Sequence, residues 1–187
     1  GMWCKHTNYE QATREPLIIT DLRKETGQRA AAPVEFIDIY PTLCELAGLP
    51  VPGVLEGKSL VPMLNDPAAS VKTVAVSQFP RYVGPGEGMG YAYRDSRFRY
   101  IEWVHLDYRG GEKQGPVVDR EFYDYEADPL ETRNLVDDPV YANEVQRMKR
   151  IAASFRGMGT PVDVGTGSES PGRTAADPGR AVGPRVE

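Results

Sequence analysis

Apolar side chains at Phe36, Ile37, Ile39, Tyr40, Leu43, Leu46 and Ala47 recur at three- and four-residue intervals, the spacing of one helix face. Gly48 stands where a left-handed C-cap ends such a helix, and Pro50 forbids its continuation. Pro41 lies inside the pattern and predicts a tightened or kinked first turn. The stripe is expected to pack, with Asp38 and Glu45 facing solvent or a loop. A second stripe, Val140, Val145, Met148, Ile151, Ala152 and Phe155, follows Asp138-Pro139, which are in N-cap and first-position order.

Strand patterns lie around and between these helices. Pro16-Leu17-Ile18-Ile19 begins a short apolar run to Thr20, of the kind expected of a strand buried on both faces of a parallel sheet. Residues 71–79 alternate and predict a strand ending at Pro80. Residues 89–95 and 97–106 predict two more, with Asp95-Ser96 at the turn; Tyr91 and Tyr93 share one face of the first, and Arg97, Arg99, Ile101 and Trp103 share one face of the second. Residues 121–125 add another strand, followed by a turn at Asp128-Pro129. These aromatics are expected to form the core of a small sheet, with the second helix lying on it. Between the helices, Pro50, Pro52, Gly53, Gly57 and Pro62 predict irregular chain with a short helical turn at 59–64, capped by Ser59.

Composition changes this picture in two places. The 187 residues carry 22 basic and 27 acidic side chains, a net charge of -5 with no basic run, which argues against nucleic acid or an anionic membrane as partner. No segment has the apolar length of a membrane span. From residue 157 to the end there is no aromatic residue and eleven of thirty-one are Gly or Pro, so this tail is expected to be disordered.

Candidate chemistry concentrates near the start. Lys5 and His6 stand together between Trp3 and Tyr9. One reading is a solvated basic face; the other is a fixed ammonium for a phosphate or sulfate, with His6 adding a proton donor or hydrogen bond. Arg81, leaving a strand end beside Tyr82, either pairs with a local carboxylate or holds a carboxylate or sulfate with its planar fork. Cys4 is the candidate reactive thiol, while Cys44 is expected to be a buried apolar residue. Residues 84–88, Gly-Pro-Gly-Glu-Gly, lack the lysine and strand-to-helix context of a phosphate loop and read as a flexible boundary. The acidic cluster Asp124, Glu126, Asp128 and Glu131 lacks the spacing and central glycine of a calcium loop and reads as solvated charge.

Several stretches taken in order carry a resemblance: G-M-W-C-K-H-T-N-Y-E-Q-A-T-R-E-P-L-I from Gly1, F-I-D-I-Y-P-T-L-C-E-L-A-G-L-P from Phe36, G-K-S-L-V-P-M-L from Gly57, S-Q-F-P-R from Ser77, M-G-Y-A-Y-R from Met89 and E-F-Y-D-Y-E-A-D-P-L-E-T-R-N-L from Glu121. Together the set resembles the sulfatase family of the alkaline phosphatase superfamily, in its iduronate 2-sulfatase-like branch. The resemblance implies that Lys5 contacts the sulfate group being cleaved, and that Arg81 borders a pocket for a sulfated sugar or uronic acid. It also implies calcium and a formylglycine nucleophile in the parent protein. Cys4 and Cys44 do not match the C/S-x-P-x-R motif that yields formylglycine, and no Asp-His-Gly stretch is present.

The implied fold is α/β: a C-terminal remnant of an alkaline-phosphatase-like mixed sheet at residues 1–83, an α+β subdomain at 84–156 with an antiparallel sheet and a C-terminal helix, and the tail at 157–187. The chain is expected to work with a missing N-terminal part of the catalytic domain, to be inactive alone and to bind no calcium itself. Family members are often exported, and the compartment of this chain is left open. Other readings are a stand-alone module binding an acidic glycan, a purely structural subdomain, and a phosphatase or phosphonate hydrolase of the same superfamily.

Overall fold

The computed structural model describes residues 5–24, 27–83, 86–112 and 114–158. Cys4, Gly84-Pro85 and the tail from residue 159 lie outside the described residues, and so do the readings placed on them. The centre of the chain is a four-stranded antiparallel sheet in sequential order, β1 (Ala75–Val83), β2 (Gly86–Arg94), β3 (Phe98–His105) and β4 (Val117–Asp124). The β2–β3 pair and the turn at Asp95-Ser96 are where the sequence put them, whereas the final strand begins four residues earlier than expected, at Val117, within the stretch read as loop. β1 begins later than expected and continues through Pro80, which pairs with Met89. Proline is tolerated there because β1 is an edge strand with only one neighbour.

Gly86, Glu87 and Gly88 belong to β2 and pair with Val83, Tyr82 and Arg81. The expected flexible boundary is therefore partly sheet. Its glycines serve proximity instead: a Cβ on Gly88 would lie 2.9 Å from Val83 Cγ2 and 3.0 Å from the Val104 carbonyl oxygen.

One face of the sheet carries the main core. Tyr93, Phe98, Tyr100 and Phe122 meet Leu135, Val145, Met148 and Ala152 from the turn and from α4 (Ala142–Met158). Helix α4 continues two residues into the stretch expected to lack structure. A 3-10 turn, Pro139–Tyr141, leads into it, and the Asp138 side chain accepts from Val140 N at 3.1 Å, closing an otherwise orphaned donor. Of the predicted stripe, Val140 faces solvent because it belongs to that 3-10 turn and not to the helix, and Phe155 is partly exposed while its ring meets Tyr93.

The first predicted helix forms as a 3-10 turn, Phe36–Asp38, followed by α2 (Ile39–Leu46). Its orientation reverses the expectation. Phe36, Ile37, Tyr40 and Leu43 are 50–69% exposed, whereas Asp38, Pro41, Thr42 and Cys44 are buried. The reason is polar. Asp38 accepts from the backbone of Lys58 and Glu35, both at 2.8 Å, and from Lys72 Nζ at 2.7 Å; Thr42 Oγ1 accepts from Leu60 N at 2.8 Å. The Gly57-Lys58-Ser59-Leu60 stretch is laid against this side so closely that a Cβ on Gly57 would lie 1.9 Å from the Ile37 carbonyl oxygen. Ser59 Oγ then accepts from Val61 N at the start of α3 (Val61–Asn65).

The buried strand expected at residues 16–20 is absent. That segment is without regular structure, and Ile18 is 87% exposed. β-branching and apolarity marked it for burial, but no strand of the described chain lies beside it to complete a ladder.

Candidate functional site

The second face of the sheet is covered by the N-terminal segment. Small residues at Gly88, Gly90 and Ala92 alternate along β2 and leave a channel beside Trp103 and Ile101. Asn8 fills it: buried to 1% exposure, it donates Nδ2–H to the Gly90 carbonyl at 3.0 Å. A Cβ on Gly90 would lie 2.4 Å from the Trp103 ring and 2.6 Å from Asn8 Nδ2. Only glycine lets both side chains occupy that place.

Asn8 is followed by Tyr9 and a single helical turn, α1 (Glu10–Thr13). Both enter polar networks with the sheet. Glu121 of β4 accepts from Trp103 Nε1 at 2.7 Å, Tyr123 Oη at 2.8 Å, Tyr9 Oη at 2.9 Å and Arg81 Nη2 at 3.1 Å. Burial first, then the Glu121 carboxylate, raises the pKa of the Tyr9 and Tyr123 phenols, so both remain donors at neutral pH. The second network surrounds Arg99, 1% exposed. Its guanidinium reaches Glu10 at 2.6 Å, Thr13 Oγ1 at 3.0 Å, Tyr125 Oη at 2.5 Å, Glu131 at 3.1 Å and the Asn8 carbonyl. Burial opposes ionisation of Glu10, but the bonds from Arg94 and Arg99 outweigh it and hold its pKa below the ordinary glutamate value.

The residues singled out by sequence are placed by this packing. Lys5 is exposed at the start of the described segment. The His6 ring stacks on Phe79 of β1, centroids 5.4 Å apart and planes 12° from parallel. Arg81 stands two residues along β1 from Phe79 and so on the same face. Its guanidinium lies 3.3 Å from the Trp103 ring centroid while it pairs with Glu121. His6 and Arg81 thus come to one side of one strand, with Lys5 beside His6. Arg81 has the ion pair of its structural reading, and it remains exposed. Among the described residues, no group of three His, Cys, Asp or Glu could hold a metal ion, so no calcium chemistry is derived from these side chains.

Sequence reasoning missed the groups that fix this arrangement. The acidic cluster is not simply solvated. Asp124 is fully buried and accepts both Arg97 Nε at 2.9 Å and Nη2 at 2.6 Å, while Glu131 grips Arg99 and accepts from Glu10 N at 2.9 Å. Asp128 caps the intervening turn, taking Thr132 N at 2.6 Å and Arg133 N at 3.0 Å, and Asn134 Oδ1 accepts from Phe122 N at 2.9 Å. A signal was available. Arg99, inside the largely apolar run of β3, requires carboxylate partners once buried.

A family model described as "N-sulphoglucosamine sulphohydrolase, C-terminal" matches residues 1–156. Similar curated proteins include a sulfatase of Formosa agariphila, 30% identical over 151 residues, 81% of this chain and 26% of that protein. Arylsulfatase K of Xenopus laevis is 28% identical over 165 residues, 86% of this chain and 30% of that protein. This chain therefore spans under a third of the length of either relative. Among solved structures, a 2-O GAG sulfatase is similar at 28% identity and a TM-score of 0.49, over 63% of this chain and 23% of that one.

Proposed function

Because the chain belongs to the family of N-sulphoglucosamine sulphohydrolase C-terminal regions, we propose that it serves as the C-terminal part of a sulfuric ester hydrolase acting on a sulfated sugar or related ester. In this reading Lys5 is a fixed cation on the sulfate group, and His6 and Arg81 contact substrate. Cations aimed at oxygens that gain charge lower the barrier when they are held in place before reaction begins. The observation that carries the reading is the family match over residues 1–156, together with the anchoring of its N-terminal segment on the sheet. The finer assignment, to the iduronate 2-sulfatase-like branch, is supported by the ordered motifs alone.

The formylglycine nucleophile and calcium are assigned to a preceding catalytic portion, since neither Cys4 nor Cys44 fits the nucleophile motif. Calcium, when bound there, polarises the sulfate oxygens. The outward face of Phe36, Ile37, Tyr40 and Leu43 is the surface offered to that portion. Exposed apolar patches of this kind mark interaction sites. The division at 83/84, into a portion of the catalytic domain at 1–83 and a C-terminal α+β subdomain at 84–156, belongs to this reading, with β1 pairing to β2 across it.

The test uses the 187-residue chain. It is expected not to turn over an aryl sulfate, and to bind a sulfated monosaccharide weakly, with affinity reduced in Lys5→Ala and Arg81→Ala. Turnover by the chain alone overturns the division of labour. Binding indifferent to Lys5 overturns its role. A non-catalytic module for acidic glycans is the second reading, favoured by His6 and Arg81 meeting on one face of β1; binding that is kept in Lys5→Ala and lost in His6→Ala and in Arg81→Ala selects it.

A further inference from the structure

We propose that Arg99 is a positioning residue, whose buried guanidinium clamps residues 8–13 to β3 and so fixes where Lys5 and His6 stand. The inference rests on the assignment of Lys5 and His6 to a sulfate ester. Arg99 never approaches that ester itself in this scheme. It acts through the chain it holds.

The guanidinium divides its donors between the two sides of a seam. Toward the N-terminal segment it gives bonds to the Asn8 carbonyl, Glu10 Oε2 and Thr13 Oγ1; toward the sheet's far end it meets Tyr125 and Glu131. Glu131 grips the same segment independently, through Glu10 N. Arg94 adds a second cation to Glu10 at 3.2 Å, so two arginines face two carboxylates with no net charge left over.

Two physical arguments separate this from ordinary packing. A buried ion pair is commonly no more stabilising than apolar residues of the same volume, so its use at a seam is better explained by the geometry it imposes. In addition, Glu131 is held at φ 56, a left-handed conformation unfavourable for a side chain with a Cβ. Its carboxylate bonds to Glu10 N, Tyr125 and Arg99 are what hold it there. Both features lie under the segment that carries Lys5 and His6, and His6 lands on Phe79 two residues before Asn8 enters its channel.

The experiment compares the 187-residue chain with Arg99→Lys and with Glu10→Gln. Two readouts report position: the upfield displacement of the His6 ring protons caused by the Phe79 ring, and amide hydrogen exchange. In both variants the His6 displacement is expected to collapse, and exchange at residues 9–13 to rise about tenfold or more while β2 and β3 stay protected. Affinity for a sulfated monosaccharide should fall with them. Lys5→Ala is expected to lose affinity and keep both positional signals. Should Lys5→Ala bind normally, the sulfate assignment fails while the positional signals still judge the clamp. An unchanged His6 shift and unchanged exchange in a folded variant overturn the clamp, as does exchange rising by the same factor across the whole sheet. If Arg99→Lys does not fold, Glu10→Gln, which keeps shape and removes charge, decides.

Discussion

Glu121 is the acceptor for two phenols, an indole and a guanidinium, all within 3.1 Å. Replacing it by Gln substitutes two donors for part of an acceptor set and leaves a buried partner unmatched, so Glu121→Gln should cost about 1–3 kcal/mol. Urea unfolding checks this as a shift of midpoint at constant slope. Gly90→Ala should lift Asn8 or displace Trp103, because its new methyl meets both; quenching or shifting of Trp103 emission is the readout, and unaltered emission refutes the close approach. Glu131 offers a sharper contrast. Glu131→Gly loses the same carboxylate as Glu131→Ala but relieves the left-handed backbone, so it should be the milder change by about 1 kcal/mol.

At the scale of elements, Asp138→Ala removes the bond to Val140 N that caps the 3-10 turn leading into α4, and about 1 kcal/mol of stability should go with it. The sequence was informative about α4, the β2–β3 pair and the turn at Asp128-Pro129, where local chemistry and tertiary packing ask for the same residues. It misled at α2. A stripe of period 3.6 reports a face made for burial and does not say what covers it; Asp38 and Thr42 supplied the opposite side with bonds that no pattern of apolar positions encodes. The apolar run at residues 16–20 misled for the same reason. Lys5, His6 and Arg81 were visible as charges beside aromatics, yet the network holding them was not, since Asn8 and Arg99 are 91 residues apart and only the fold makes them neighbours.

For the whole molecule, two behaviours follow from charge and exposed surface. The Arg97 bond and the backbone of Glu126 lower the pKa of Asp124 against the effect of burial, and the arginines lower that of Glu10. A carboxyl whose folded pKa is depressed contributes stability above its unfolded pKa and loses it as the pH falls through the folded one. The chain should therefore weaken on acidification below about pH 4.5, the ordinary glutamate value, and Glu10→Gln should flatten that slope in a pH series of thermal melts. The outward face of α2 predicts self-association or binding of a hydrophobic dye by the isolated chain. The pair Tyr40→Lys and Leu43→Glu should abolish this without lowering the Tm; an unaltered sedimentation profile and dye response would count against the face as a docking surface.

The bond between Asn8 and Arg99 also sets an order of events. A chain made from its N-terminus exposes the first partner long before the second has been synthesised, and the seam cannot close until the β2–β3 hairpin and the turn carrying Glu131 exist. Loops of that length close late relative to local contacts. In refolding, protection of residues 9–13 should consequently trail that of β2 and β3, which makes the segment bearing Lys5 the last described part of this sheet to find its place.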